Sequence, residues 1–137
     1  MTIGPMLSIK PAAEDLTARQ PVWEALSDMF LDTDTSLSRQ WRADQLARSP
    51  YSIEQLEFIL INEVYPICKY NLLSVAGEWA GFDPEWLREK ILRHLDSRFR
   101  FLHMLNLGCF TVHASAEWHA TRHAILTARD ADTKSTA

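Results

Sequence analysis

Ser52-Ile53-Glu54-Gln55-Leu56-Glu57-Phe58-Ile59-Leu60-Ile61-Asn62-Glu63-Val64-Tyr65-Pro66 is the stretch that decides the fold class of this chain. Ser52 and Gln55 stand three apart ahead of an apolar run. This is the pattern of a capping box, in which the serine hydroxyl accepts from the Gln55 N–H and the glutamine side chain reaches back to the Ser52 N–H. Tyr51 and Leu56 occupy the hydrophobic-staple positions that fix how the chain enters the helix. Ile53, Leu56, Ile59, Leu60 and Val64 then recur at helical spacing and form one apolar face. Pro66 is expected just past the end of this helix, because it lacks an N–H and its ring opposes the carbonyl four residues back.

Working towards the N-terminus, Ser49-Pro50 closes a preceding helix expected over Leu37 to Arg48, with Trp41 and Leu46 inward. Asp32-Thr33-Asp34 separates that helix from an earlier one. There Pro21 suits a first helical position, and Val22, Trp23, Leu26, Met29 and Phe30 form a single stripe. Working towards the C-terminus, a short helix is expected over Asn71 to Ala80. Gly81 stands at its C′ position, free to take positive φ, and Gly77 inside it permits close approach of a neighbour. Asp83-Pro84-Glu85 reads as the next start: cap, proline, acidic first turn. Trp86, Leu87, Ile91 and Leu95 follow as its inner face. A further helix through Phe99, Leu102 and Leu105 ends at Gly108. The last is expected from His113–Ser115 to about Arg129, with Trp118, Ile125 and Leu126 inward.

No stretch alternates as a strand would. The expectation is an all-α single compact domain, an irregular bundle of roughly five to seven helices. Residues 1–19, with Gly4, Pro5 and Pro11, read as a flexible N-terminal arm. Residues 20–129 read as the helical domain, and the small polar residues 130–137 as a disordered tail.

The 137 residues carry 18 acidic and 14 basic side chains, a net charge of −4. Nonspecific nucleic-acid binding usually wants a basic domain, so a nucleic-acid partner is not expected. The charge is uneven, −7 over residues 1–87 and +3 over residues 88–137. Only Cys68 and Cys109 are present. That is no disulfide framework and fits a reducing compartment. No secretory leader is read at the start, and no apolar run approaches the ~18 residues a membrane span needs. A cytoplasmic protein is therefore expected.

Few residues point to chemistry. His119 and His123 share a helical face at i, i+4, with His113 nearby, but the residue after His119 is alanine and no Glu-x-x-His accompanies them. The carboxylates of Glu24 and Asp28, Glu54 and Glu57, and Glu85 and Glu89 pair along helix faces, a pattern of solvation rather than of acid–base catalysis. Glu63 and Glu78 lie among apolar and aromatic neighbours. If either is buried, it needs a partner such as Tyr65, Asn71 or an arginine, and a structural hydrogen bond tying two helices is the expected role. No hydrolase elbow, dinucleotide fingerprint or phosphate loop is present. No catalytic residue, cofactor or metal is expected. The stretch Arg88 to Arg100 fits arginine stems lying over apolar surface better than phosphate contact. Among five tryptophans, Trp23, Trp79, Trp86 and Trp118 fit core stripes; Trp41, on the weakest stripe, is the best candidate for an exposed anchor, while core packing is the expected role for each.

Pro21-Val22-Trp23-Glu24-Ala25-Leu26-Ser27, Ser49-Pro50-Tyr51-Ser52, Glu63-Val64-Tyr65-Pro66 and, above all, Leu72-Leu73-Ser74-Val75-Ala76-Gly77-Glu78-Trp79-Ala80-Gly81-Phe82 carry a resemblance. Over these residues the chain resembles a family of small, uncharacterised bacterial proteins. It is also similar to immunity proteins paired with type VI secretion nuclease effectors. The match weakens after Asp96. The family brings no enzymatic residues; Glu63, Tyr65, Gly77, Glu78, Trp79 and Gly81 belong to its motifs. The resemblance implies a binding protein that neutralises a cognate toxin. An acidic surface suits the cationic substrate groove of a nuclease, and here Glu24, Asp28, Asp32 and Asp34, with Trp41 and a second patch at Glu54 and Glu57, would provide it. Exposed aromatics permit a homodimer without requiring one. The alternatives are a small metal-dependent or carboxylate-based enzyme using Glu63, Glu78 or the His119/His123 pair, and a nucleic-acid-associated regulator.

Overall fold

The capping box forms as its residues dictate. In the computed structural model, which describes residues 8–30, 35–68, 83–96 and 112–136, the Ser52 hydroxyl accepts from the Gln55 N–H at 3.1 Å. The Gln55 side chain accepts from the Ser52 N–H at 2.8 Å. The helix so started runs through Ile53–Ile59, Leu60–Val64 and Tyr65–Cys68 and is α3. Before it come α1 (Leu16–Ser27), short 3₁₀ turns at Asp28–Phe30 and Thr35–Ser38, and α2 (Arg39–Ala47). After it come α4 (Pro84–Asp96) and α5 (Val112–Thr136). Every regular element among the described residues is helical, so the chain is all-α, with five helices there.

Several boundaries differ from expectation. Helix α1 begins at Leu16, not at Pro21. Pro21 lies inside it with an exposed ring, so the helix forgoes one backbone bond on the solvent side, where water can serve the freed carbonyl. The anticipated division at residues 19–20 therefore falls within a helix, and Ala12, ahead of it, is buried. Pro66 also sits inside a helix. The turn just before it, Leu60–Val64, is widened to a π-helix, with the Tyr65 N–H reaching the Leu60 carbonyl. Such a widened turn relieves the clash between a proline ring and the preceding turn. Helix α5 continues to Thr136, through most of the segment read as tail. The Asp83 cap holds as read, accepting from the Trp86 N–H at 2.9 Å.

The expected stripe Val22, Trp23, Leu26, Met29 and Phe30 is buried, and so is the α3 face of Ile53, Leu56, Ile59, Leu60 and Val64. Leu87, Ile91, Trp118 and Ile125 complete one core. Helix α1 packs on α2, on α4 and on the widened turn of α3, and α5 lies along α2. Contacts from Arg39 and Arg42 to Glu117, from Arg42 to Thr121, and from Arg129 to Ala47 show that α2 and α5 run parallel. Three inward assignments fail. Trp41 is 49% exposed, Leu126 49% and Trp86 40%, because each sits one position off the stripe that its helix buries. The helix expected over 71–80, with Gly77, Glu78, Trp79 and Gly81, lies outside the described residues, as do Asp32, Asp34 and Cys109.

Candidate interaction surface

The most heavily buried charges on the described residues fall in two clusters. In the first, Arg19 of α1 and Glu63 of the widened α3 turn are 1% and 3% exposed. Arg19 Nε donates to Glu63 Oε1 at 3.1 Å and Nη2 to Oε2 at 3.2 Å. Nη1 donates to Asp15 at 3.0 Å and to the Tyr51 hydroxyl at 3.3 Å, and Nη2 to the Lys10 carbonyl at 2.7 Å. The guanidinium thus has an acceptor for each of its N–H donors. The Trp23 indole N–H donates to Glu63 at 2.8 Å, and the Tyr51 hydroxyl donates to Asp15. Burial, with the Asp15 carboxylate beside it, pushes the Tyr51 hydroxyl up to about 12. Burial pulls the Arg19 pKa down, but Glu63 and Tyr51 outweigh it and the net direction is up.

The second cluster ties α2 to α5. Arg42, fully buried, donates from Nη1 to Glu117 at 2.9 Å and to Thr121 at 2.8 Å, and from Nη2 to Asp28 at 3.0 Å. Arg39 grips Glu117 with two bonds, 2.7 and 3.0 Å. These arginines, Arg39 first, hold the Glu117 carboxyl below its usual value against the opposing effect of burial. Ser38 donates to Asp28, closing the knot where the end of α1 meets the start of α2. Farther along, Arg129 of α5 donates to the carbonyls of Leu46, Ala47, Ser49 and Tyr51. It thereby caps the C-terminus of α2 with a cation.

These contacts sort the sequence candidates. Glu63 is buried, and its partner is an arginine, Arg19, which lies in the segment that the sequence reads as an arm. Asp28 accepts from Arg42 and Ser38, and Glu57 accepts from the Trp118 indole at 2.9 Å, so both anchor the fold. Glu24 and Glu54 are exposed. His119 and His123 are exposed, and among the described residues no group of three His, Cys, Asp or Glu is placed to hold a metal ion. Burial raises the pKa of the Cys68 thiol, which disfavours the reactive thiolate.

Among the described residues, exposed large apolar side chains lie on α4 (Trp86), on α5 (Leu126) and around the start of α2. Leu37, 85% exposed, lies in the 3₁₀ turn that leads into α2, and Trp41, 49% exposed, lies in the first turn of α2. Sequence reading singled out Trp41 but not Leu37. The Asp28–Ser38–Arg42 knot fixes this turn against the end of α1, one turn beyond Glu24. A cleft of about 860 Å³ lies elsewhere, between residues 9–13, α3 and the end of α4, with the neutralised Arg19–Glu63 pair in its wall. No helix among the described residues is long and apolar enough to cross a membrane.

Comparison with known families matches residues 17–124 to the model of a domain of unknown function (DUF7079). Neither the curated proteins nor the solved structures give a match.

Proposed function

The chain belongs to the family of that domain of unknown function, DUF7079, and from this premise we propose that it is an immunity protein: a cytoplasmic binding protein that neutralises a cognate antibacterial toxin, a type VI secretion nuclease effector, by protein–protein contact. The observation that carries the reading is the exposure of Trp41 on α2, a helix that Arg42 ties to Asp28, with Leu37 exposed in the turn just before it. Tryptophan anchors held on a rigid support dominate the energetics of protein interfaces. Stoichiometric neutralisation needs a stable body and a complementary surface, and no reacting group. Arg19, Glu63, Arg42 and Glu117 are consumed by one another, which supports a structural use of the buried charge rather than a catalytic one. Exposed Glu24, near the same end of α1, supports steering towards a cationic surface.

The test is neutralisation in a defined mixture. The product of the neighbouring gene is assayed for nuclease activity while this chain is added. The expected result is loss of activity at a one-to-one ratio. Nuclease activity that persists in a severalfold excess of this chain would refute the proposal.

A further inference from the structure

The cleft of about 860 Å³ is walled by residues 9–13, Arg19 of α1, α3 and the end of α4, with no described residue of α2 or α5 in its lining. Its volume falls in the ~300–1,000 Å³ range of small-molecule sites. Ile9, Phe58, Pro66, Leu92 and Leu95 give it an apolar interior. The widened turn of α3 builds part of the wall, bringing Asn62 and Glu63 to the cleft. Widened turns of this kind are frequent at functional sites.

The charges in the lining are of two kinds. Arg19 and Glu63 pair with each other through two bonds, and Asp15, which also binds Arg19, is not in the lining. Lys10, Arg93 and Asp96 are exposed and line the cleft, and among the described residues none of the three forms an ion pair. Lys10 precedes α1 and Arg93 belongs to α4, so the two free cations reach the cleft from different elements. Two free cations against one free carboxylate leave the lining with a positive excess, in a chain whose net charge is −4. An acid with an apolar body suits both features. The body takes apolar lining out of water, and the head forms charge-assisted hydrogen bonds with the cations.

We propose that this cleft binds a small apolar acid, its body against Phe58, Leu92 and Leu95 and its anionic head towards Lys10 and Arg93. The site is separate from the Trp41 side of α2, and its test does not depend on the immunity reading.

The experiment uses the full chain and two fluorescent probes that share one ring system. Anilinonaphthalene sulfonate is anionic and phenylnaphthylamine is uncharged. Calorimetry gives the stoichiometry, and decanoate is the competitor. Circular dichroism and thermal melting verify that each variant folds. The native chain is expected to bind one sulfonate probe with a Kd of roughly tens of micromolar, and decanoate to displace it. Ala13→Trp, at an exposed position in the lining, fills the cleft and should block both probes. Arg93→Glu should weaken the sulfonate about tenfold and leave the amine unchanged. Arg48→Glu, the same charge change at the exposed end of α2, should alter neither. Absence of saturable binding by the folded native chain would overturn the inference, as would native affinity in a folded Ala13→Trp variant. An equal effect of Arg93→Glu on both probes would overturn it by removing the anionic head. Sedimentation of the chain with anionic lipid vesicles, abolished by Ala13→Trp, would make the ligand a membrane surface rather than a free acid and would also overturn it.

Discussion

Replacing Glu63 with glutamine tests the reading of the first buried cluster. The change keeps the side-chain volume and removes the charge. The amide oxygen can stay at the Oε1 position and keep the Trp23 indole and Arg19 Nε bonds, now at 2.8 and 3.1 Å. The amide nitrogen then faces Arg19 Nη2, where a 3.2 Å bond stood, and two donors oppose each other. One charge-assisted hydrogen bond is lost, about 1.5–3 kcal/mol. Asp15 still balances Arg19, which keeps the loss below the ~3–5 kcal/mol of a fully orphaned buried charge. We expect destabilisation of about 2.5 kcal/mol. For a chain of 137 residues this corresponds to a melting temperature lower by roughly 9 °C. Urea unfolding followed by tryptophan fluorescence gives the free energy, and calorimetry gives the temperature shift. A loss below about 0.5 kcal/mol, the range of ordinary surface substitutions, would refute the account of Glu63 as the acceptor that holds Arg19.

Three further outcomes follow from the same structure. Because the Tyr51 hydroxyl is raised to about 12 in the folded chain from 10.0, its contribution is present below pH 10 and lost as pH rises towards 12. Urea unfolding at a series of alkaline pH values should show that loss in the native chain and a flatter profile in Tyr51→Phe. Because the Glu117 carboxyl lies below its ordinary 4.5, its contribution is present above pH 4.5 and lost on acidification. Glu117→Gln should therefore be less stable at neutral pH and have a shallower acid limb, read by the same unfolding series. Ser52→Ala removes one half of the capping box and should cost about 1 kcal/mol in urea unfolding, with α3 retained by circular dichroism.

The all-α class was legible because its signals are local. The Ser52–Gln55 box, the Asp83–Pro84 start and the stripes of α1 and α3 need only neighbours in sequence. Prolines mislead for a local reason: Pro21 and Pro66 read as boundaries in sequence and lie inside helices. One falls on the solvent side of α1 and the other behind a widened turn that no residue pattern announces. The ionic clusters were legible by half. A glutamate among apolar residues implies a partner, and Glu63 has one. Its identity, Arg19, lies 44 positions away, and Arg42 and Glu117 are 75 apart. Pairings at that range are set by helix packing, which periodicity does not encode. The same packing turned Asp28 and Glu57 from surface candidates into anchors and left Leu37 outside.

The proposed action of this chain is to bind a dedicated protein partner through the Trp41 side of α2. Calorimetric titration of the inactivated neighbouring-gene product into the native chain and into Trp41→Ala tests it most directly. The expected result is a one-to-one complex of submicromolar affinity, weakened about 30-fold by the substitution. Absence of binding by the native chain, or equal affinity for both proteins, would contradict it.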